Sequence, residues 1–344
     1  MKRLLAAATA AALLLLAGCG SAAPTVEKKQ YTATYLTLFD TVTTIIGRAE
    51  SEEVFRETAQ RIHDELLEYH QLFDIYHDYE EMNNLKTVND AAGGEPVQVD
   101  RRIIRLLQDC KRFYETTGGR VNVAMGSVLQ LWHESRNEGL NDPRIARLPE
   151  PEALQRAAEH VDLEALVIDE VASTVTITDP ALRLDVGAIA KGWATQQVAE
   201  HAPAGLLISV GGNVCATGPK DESGTAWVVG VRDPKGGEED YLHTLYVSKG
   251  AVVTSGDYQR TYLVDGKLYH HIIDPDTLYP SAYWRSVTVI CEDSGAADAL
   301  STALFLLPQA EGQALLERYG AEALWVDAEG GLFYSPGFRD SIRT

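Results

Sequence analysis

Thr254-Ser-Gly-Asp-Tyr258 and His270-His-Ile-Ile-Asp-Pro275 bring hydroxyls, carboxylates, a glycine and two adjacent imidazoles into one short stretch of chain. Between them, Asp265-Gly266 suits a two-residue type I′ turn joining Tyr262-Leu-Val264 to Lys267-Leu-Tyr269. A hairpin there folds the chain back on itself and sets Ser255, Asp257 and His271 near one another. Hydroxyl, carboxylate and imidazole in one place handle a proton or a phosphate. An imidazole titrates at about 6.5 when unperturbed, which suits His271 to take a proton near neutral pH. Asp257 or Asp274 would orient its ring. His270 alternates to the other side of an extended strand and takes no role.

Other segments carry donors for an ion or an anion. Asp298, Ser301 and Thr302 share one face of an expected helix. A carboxylate and two hydroxyls in one turn can give oxygen ligands to Mg²⁺, with water and substrate phosphate completing the octahedron. They can also be an acidic residue favoured near a helix start beside two unrelated polar residues. Asp185-Val-Gly-Ala-Ile-Ala-Lys-Gly192 joins a strand end to a helix start. Gly187 and Ala188 allow backbone to approach a ligand closely. Lys191 sits in the first turn, against the helix dipole, and calls for an anionic partner. An ordinary strand-to-helix junction is the plainer reading. Ser209-Val-Gly-Gly-Asn213 follows an apolar strand and is either an anion nest or a tight turn. The chain holds no Gly-x-x-x-x-Gly-Lys-Ser/Thr, Gly-x-Ser-x-Gly or His-Glu-x-x-His. Those absences remove the commonest nucleotide, esterase and zinc-protease readings.

The elements that position these residues change character along the chain. Tyr31 to Gly47 alternates as one or two strands. Glu52 to about Tyr76 is an amphipathic helix, and Asp100 to Thr117 is another, closed by Gly118-Gly119. A helix is expected from Asn122 to about Trp132, a loop from Asn137 to Pro151, and a short helix from Glu152 to Ala158. His63, His70 and His77 recur every seven residues, roughly 10.5 Å along a helix, too far apart for one ion. They read as a solvated face. Strands follow at Leu166–Ile168, Val175–Thr178 and Leu182–Leu184, then a helix from about Ala188 to Glu200. Apolar strands run through Leu206–Val210, Trp227–Val231 and Ser286–Ile290. Ser294 caps a helix that ends before Pro308. The order implies an α+β fold.

Lys2 and Arg3, the apolar run Leu4 to Leu16, and Leu16-Ala-Gly-Cys19 read as an export signal over residues 1–18. Cys19 after Leu-Ala-Gly resembles the lipobox of bacterial lipoproteins, which implies lipidation there, the plainer reading being a secretion signal with an incidental cysteine. The apolar run is short for a membrane span. Residues 19–30 read as a polar tether and 31–344 as the functional domain. The expected location is the outer face of the cytoplasmic membrane or the periplasm. Apart from Cys19, the cysteines are Cys110, Cys215 and Cys291, sparse and without a Cys-x-x-Cys pair, so no disulfide framework is expected. Thirty basic against 50 acidic residues, a net charge of −20, argues against nucleic acid as a partner. If the ligand is a polyphosphate, its repulsion must be cancelled locally by a divalent metal and backbone N–H groups.

From about Tyr35 to Pro308 the chain resembles the ApbE family, the FAD:protein FMN transferases. The resemblance rests on Asp185–Gly192, Val210-Gly-Gly-Asn213, Thr254–Tyr258 with His271–Pro275, and Ala297-Asp-Ala-Leu-Ser-Thr302. Each is weak alone, but their order and spacing are specific. The resemblance implies an ApbE-like fold with mixed β-sheets flanked by helices, in two interwoven lobes. It implies FAD as substrate, Mg²⁺ or Mn²⁺ as cofactor, and transfer of FMN to a Ser or Thr of an acceptor flavoprotein with release of AMP. That acceptor would belong to a membrane redox complex or another extracytoplasmic flavoprotein. By position, Asp298, Thr302 and the Ala188 carbonyl would hold the metal, with Ser301 nearby. Phe39, Tyr76, Arg120, Val121, Asn122, Asp185, Lys191 and Ile273 would contact the flavin nucleotide, and His271 would be catalytic. The chain departs from the family pattern at Phe39-Asp40-Thr41, where Met-Gly-Thr is usual, and at Asn122, where Asp is common. It departs also at Ser301, a frequent Ala or Asp, and at Leu278, a usual glycine. Two rivals are an FAD pyrophosphatase, with water as nucleophile, and a non-catalytic FAD-binding lipoprotein. A binder needs no base, so His271 with Asp298 and Thr302 speaks against the second.

Overall fold

A computed structural model describes residues 27–237 and 239–344. The expected signal segment, Cys19 and the tether as far as residue 26 lie outside them. The chain opens with β1 (Lys29–Tyr35) and β2 (Thr43–Ala49), then α1 (Glu52–Phe73), α2 (Leu85–Asp90), β3 (Val97–Gln98), α3 (Arg101–Thr116), α4 (Gly126–Asn141) and α5 (Pro151–Ala158). β4 (Leu166–Asp169) and β5 (Thr174–Ile177) precede α6 (Ala190–His201). Strands β6 (Leu206–Val210), β7 (Asn213–Ala216), β8 (Trp227–Arg232), β9 (Tyr241–Val247), β10 (Gly250–Gly256), β11 (Tyr262–Val264), β12 (Lys267–Tyr269) and β13 (Ser286–Cys291) follow. The chain closes with α7 (Ser294–Phe305), α8 (Gln309–Tyr319), β14 (Glu322–Val326) and β15 (Leu332–Tyr334).

The main sheet has eight strands in the order β1-β2-β6-β7-β10-β13-β14-β15. Its neighbours pair antiparallel throughout. The smaller sheets are antiparallel as well, so the sheets of this α+β fold differ in size and not in strand sense; among the described residues parallel pairing is seen in one isolated bridge, Met125 with Arg183. Alternation along the strands divides the core between the two faces of the sheet. Ala251, Val253, Ala323 and Trp325 face the helices, while Val252, Leu324 and Val326 face the β8–β9 ribbon. Cys215, Ala251 and Cys291 lie side by side across β7, β10 and β13 on the helix side. The cysteines Cys110, Cys215 and Cys291 are all buried and free. A third cluster, with Met125, Trp132, Leu154, Tyr262 and Ile273, fills the space under the β11–β12 hairpin.

α7 is the helix at the centre of this arrangement. Apart from Thr302, every one of its residues is buried, against the sheet on one side and α6 on another. A helix that is apolar all round is a core helix, so its few polar side chains need a reason.

The hairpins form where expected. Asp265 and Gly266 have φ of 50° and 80°, as a type I′ turn requires, and Val264 pairs with Lys267. Gly211 and Gly212 have φ of 59° and 91° and link Val210 to Asn213, so this Gly-Gly is the tight turn between β6 and β7. Other boundaries differ from the sequence reading. β1 begins at Lys29, inside the last residues of the expected tether. α4 begins at Gly126 because the Asn122 side chain holds the preceding turn, accepting from Ala124 N–H and donating to the Val161 carbonyl, each at 2.9 Å. It then runs to Asn141 through the start of the expected loop. Leu182–Leu184 is not a strand, since the Asn89 amide takes both backbone groups of Leu184. α2 was not anticipated. The cap of α7 is Asp293, whose carboxylate accepts from Ala296 N–H at 2.6 Å, and Ser294 is the first helical residue.

Candidate active site

α7, the α6 start, the β6–β7 turn, the β10 end and the base of the hairpin converge on a cleft of about 460 Å³. That volume is within the usual range for small-molecule sites. Phe39, Tyr76, Arg120, Val121, Asn122, Asp185, Ala188, Lys191, His271, Ile273, Asp298 and Thr302 all line it, although they come from distant parts of the chain.

Asp298 shows how the deep end is built. Its carboxylate is buried and accepts from Gly192 N–H at 2.8 Å, with Lys191 Nζ 3.7 Å away. This is the anionic partner that a lysine in a first helical turn called for. Burial pushes the Asp298 carboxyl above the usual carboxylate range, and Lys191 opposes that shift. A buried carboxylate with one cation at this distance still has room for further positive charge. Because Gly192 N–H points at Asp298, it does not turn back to the Ala188 carbonyl four residues earlier. The cleft thus offers a carboxylate, the Thr302 hydroxyl and a main-chain carbonyl. That set fits a hard divalent cation completed by water or phosphate. Among the described residues no group of three or more His, Cys, Asp or Glu side chains can hold a metal. Ser301 stands behind this set: it is fully buried, donates to the Asp298 carbonyl at 2.9 Å and meets Ser255 Oγ at 2.8 Å. It braces the β10 end against α7.

At the other side of the cleft, Nδ1 of His271 lies 3.2 Å from the Gln259 carbonyl. A carbonyl only accepts, so Nδ1 carries the proton and Nε2 keeps its lone pair. The imidazole is pushed down to about 3, first by burial and then by the charges of Arg260, His270 and Lys191. It is therefore neutral near pH 7. The expected carboxylate orienters are elsewhere. Asp257 leaves the strand after β10 ends at Gly256 and pairs with Arg285 Nε at 3.1 Å, outside the cleft. Asp274 accepts from Asp276 N–H at 2.8 Å and faces Arg120 at 3.5 Å. Gln259 is the group that orients the ring. His270 Nε2 donates to the Ser281 carbonyl at 2.8 Å on the far side, as its strand parity implied.

The remaining wall comes from irregular chain. Phe39 and Asp40 both have φ near 50° and form a tight turn in which Phe39 N–H donates to His70 Nδ1 at 3.2 Å. The heptad histidines do not share one solvated helix face: α1 ends at Phe73, His63 packs on Tyr35, His70 lines the cleft, and His77, beyond the helix, is exposed at the cleft. Tyr76 hydroxyl meets His133 Nδ1 at 3.0 Å. Arg120 is held by Asp276 at 2.6 Å. The Asn122 amide is engaged by Ala124 N–H and the Val161 carbonyl, and the residue lines the cleft. Sequence reasoning missed Gln259, Arg260 and His133. A carbonyl that orients a histidine leaves no trace in residue types, and His133 sits on a helix whose start was placed too early.

The sequence matches the ApbE family over residues 37–325. It is 36% identical over 277 residues to the FAD:protein FMN transferase of Treponema pallidum, covering 75% of each chain. It is 33% identical over 276 residues to one from Klebsiella pneumoniae, covering 77% of this chain and 83% of that one. The fold superposes on the crystal structure of the ApbE protein from Thermotoga maritima with a TM-score of 0.80 at 30% identity, covering 92% of this chain and all (100%) of that one. The Vibrio cholerae flavin transferase ApbE gives 0.76 at 24% identity, covering 92% and 100%. Asp40 and Leu278, which stand where the family pattern has glycine, have φ of 52° and 64°, so the backbone keeps a glycine-like conformation without the glycine. In sequence and fold, the chain belongs to the ApbE family.

Proposed function

We propose that this chain transfers the FMN half of FAD to a Ser or Thr hydroxyl of an acceptor protein, releasing AMP. One observation carries the reading: a neutral imidazole with a free Nε2 faces the same cleft as a buried set of hard oxygen donors. The acceptor oxygen attacks the FMN phosphorus, its proton passes to His271 Nε2, and the anhydride P–O bond breaks with its electrons leaving on AMP. Gln259 holds the ring in the tautomer this needs. Phe39, Tyr76, Asp185 and Ile273 form the walls for the flavin nucleotide, and Lys191 stands by its phosphates. Asp298, Thr302 and the Ala188 carbonyl would hold Mg²⁺ or Mn²⁺, which when bound neutralises phosphate charge that a protein of net charge −20 repels.

The test uses flavin-free protein with FAD and Mg²⁺, with and without a flavoprotein domain carrying an acceptor threonine. AMP release together with acceptor that stays fluorescent on a denaturing gel supports transfer. AMP without labelled acceptor supports the pyrophosphatase reading, and FAD bound without either product supports a binding protein.

Leu16-Ala-Gly-Cys19 supports a second part of the proposal, a lipid anchor at Cys19 that holds the enzyme on the outer face of the cytoplasmic membrane. The acceptor would then be an extracytoplasmic flavoprotein, such as a subunit of a membrane redox complex. Metabolic labelling with a radioactive fatty acid should mark the full chain and not the Cys19→Ala variant; equal labelling of both refutes the anchor.

A further inference from the structure

Phe39 and Asp40 are consecutive side-chain-bearing residues in the left-handed region, at φ of 51° and 52°. Each adopts that conformation at a cost, and such residues persist where their surroundings over-determine them. The turn they form joins β1 to β2, and Phe39, Asp40 and Thr41 all line the cleft. Two of its fixings are local: Leu38 is fully buried, and Thr41 N–H donates to the Leu38 carbonyl at 3.0 Å. The third comes from a distance. His70, in the last turn of α1, accepts from Phe39 N–H on Nδ1 at 3.2 Å, 31 residues along the chain. Its ring also meets the Phe39 ring edge-on, with centroids 5.5 Å apart and planes at 74°. One imidazole therefore holds both the backbone and the side chain of Phe39, and it lines the cleft with them.

The anchor is rigid. Tyr69, Leu72 and Phe73, around His70 on α1, are buried in the core, so a loop residue of the site is tied to a packed helix. The same device recurs at Leu278, with φ of 64°, in the loop between the bridged residues Ile273 and Pro280. Leu278 N–H donates to the Asp274 carbonyl at 2.8 Å, and its own carbonyl accepts from Trp132 Nε1 of α4 at 3.0 Å. In both places a side chain on a helix reaches across the sequence to hold a left-handed residue. We propose that His70 is a positioning residue for the substrate: it keeps the Phe39–Asp40 turn left-handed before FAD arrives, so that Phe39 stands ready as a wall of the nucleotide site. This rests on FAD as the ligand of the cleft, in the reading given above. Released from His70, the turn relaxes toward ordinary φ values in the empty protein. FAD then binds only the fraction of molecules that still hold the turn, and its apparent affinity falls by that fraction.

The experiment measures the FAD dissociation constant by flavin fluorescence, in EDTA and in Mg²⁺, for flavin-free wild type and variants, with melting temperatures alongside. His70→Leu removes the acceptor and should weaken FAD about tenfold. His70→Asn returns an acceptor at the place of Nδ1 and should stay within about threefold of wild type. Adding Asp40→Gly to His70→Leu removes the left-handed cost at one of the two residues and should recover most of the loss. His70 is half-buried, so His70→Leu should fold; if it does not, His70→Gln, whose acceptor lies too far out to replace Nδ1, carries the same expectation. A wild type that binds FAD in neither condition overturns the reading of the cleft and this proposal with it. A wild type that binds FAD, beside a folded His70→Leu that binds it equally well, overturns this proposal alone. A loss in His70→Leu that Asp40→Gly leaves unchanged, with His70→Asn equally weak, makes the imidazole a direct contact of the substrate and overturns the positioning role.

Discussion

His271 is held as a neutral base by a carbonyl and by burial, and that arrangement sets its predicted behaviour. His271→Ala should bind FAD with nearly wild-type affinity and lose transfer by about 10²–10⁴-fold, the usual range for a general base; single-turnover flavin labelling measures it. Its depressed pKa also fixes a sign. Between about 6.5 and 3 the unfolded chain binds the proton that the folded chain refuses, so the stability this group leaves intact above 6.5 is lost as pH falls. The melting temperature of wild type should therefore fall relative to His271→Ala as acid is added below pH 6.5. Asp298→Asn keeps an acceptor for Gly192 N–H and should fold, yet show no AMP release at any millimolar Mg²⁺ concentration; wild-type turnover would remove Asp298 from the metal set. At this scale the sequence showed which side chains do chemistry but not who orients them. Ser255 and Asp257 have the same strand parity on paper, and the strand ends between them, so Asp257 swings to Arg285.

Helices α6 and α7 meet at Gly192, where a Cβ would sit 2.3 Å from the Ser294 carbonyl and 2.4 Å from Asp298 Cβ. Neither neighbour is the loose end of a flexible side chain, so the helices must part to admit a methyl group. Gly192→Ala should cost about 1–3 kcal/mol of stability and weaken metal-dependent turnover as Asp298 shifts, which thermal unfolding and a Mg²⁺ titration together would show. This requirement could not be read from Asp185–Gly192, where Gly187 and Ala188 were singled out only for close backbone approach to a ligand. Turns were legible because Asp-Gly and Gly-Gly impose positive φ locally. The α1 histidines were misread because their seven-residue spacing continues past the end of the helix, and the cleft wall beyond Phe73 is irregular chain.

Across the whole molecule, one antiparallel sheet is covered by helices on one face and by the β8–β9 ribbon on the other, and the site opens at the helix side. The α+β class was visible in the order of elements. The eight-strand order was not, because β1, β2, β6 and β7 join strands far along the chain through pairings that no local pattern encodes. The row formed by Cys215, Ala251 and Cys291 carries a consequence for how the protein can be made. Cys215 and Cys291 are separated by two strand spacings, about 9.6 Å, beyond the roughly 7 Å over which a disulfide can close. Burial also pushes the Cys215 thiol up to about 12, so it resists becoming the reactive thiolate. Unfolding curves with and without reductant should coincide, and a shift of several degrees would reveal a hidden crosslink. The sheet keeps Cys215 and Cys291 apart as fence posts keep wires apart, so the fold of the described residues should form equally in reducing and oxidising hosts.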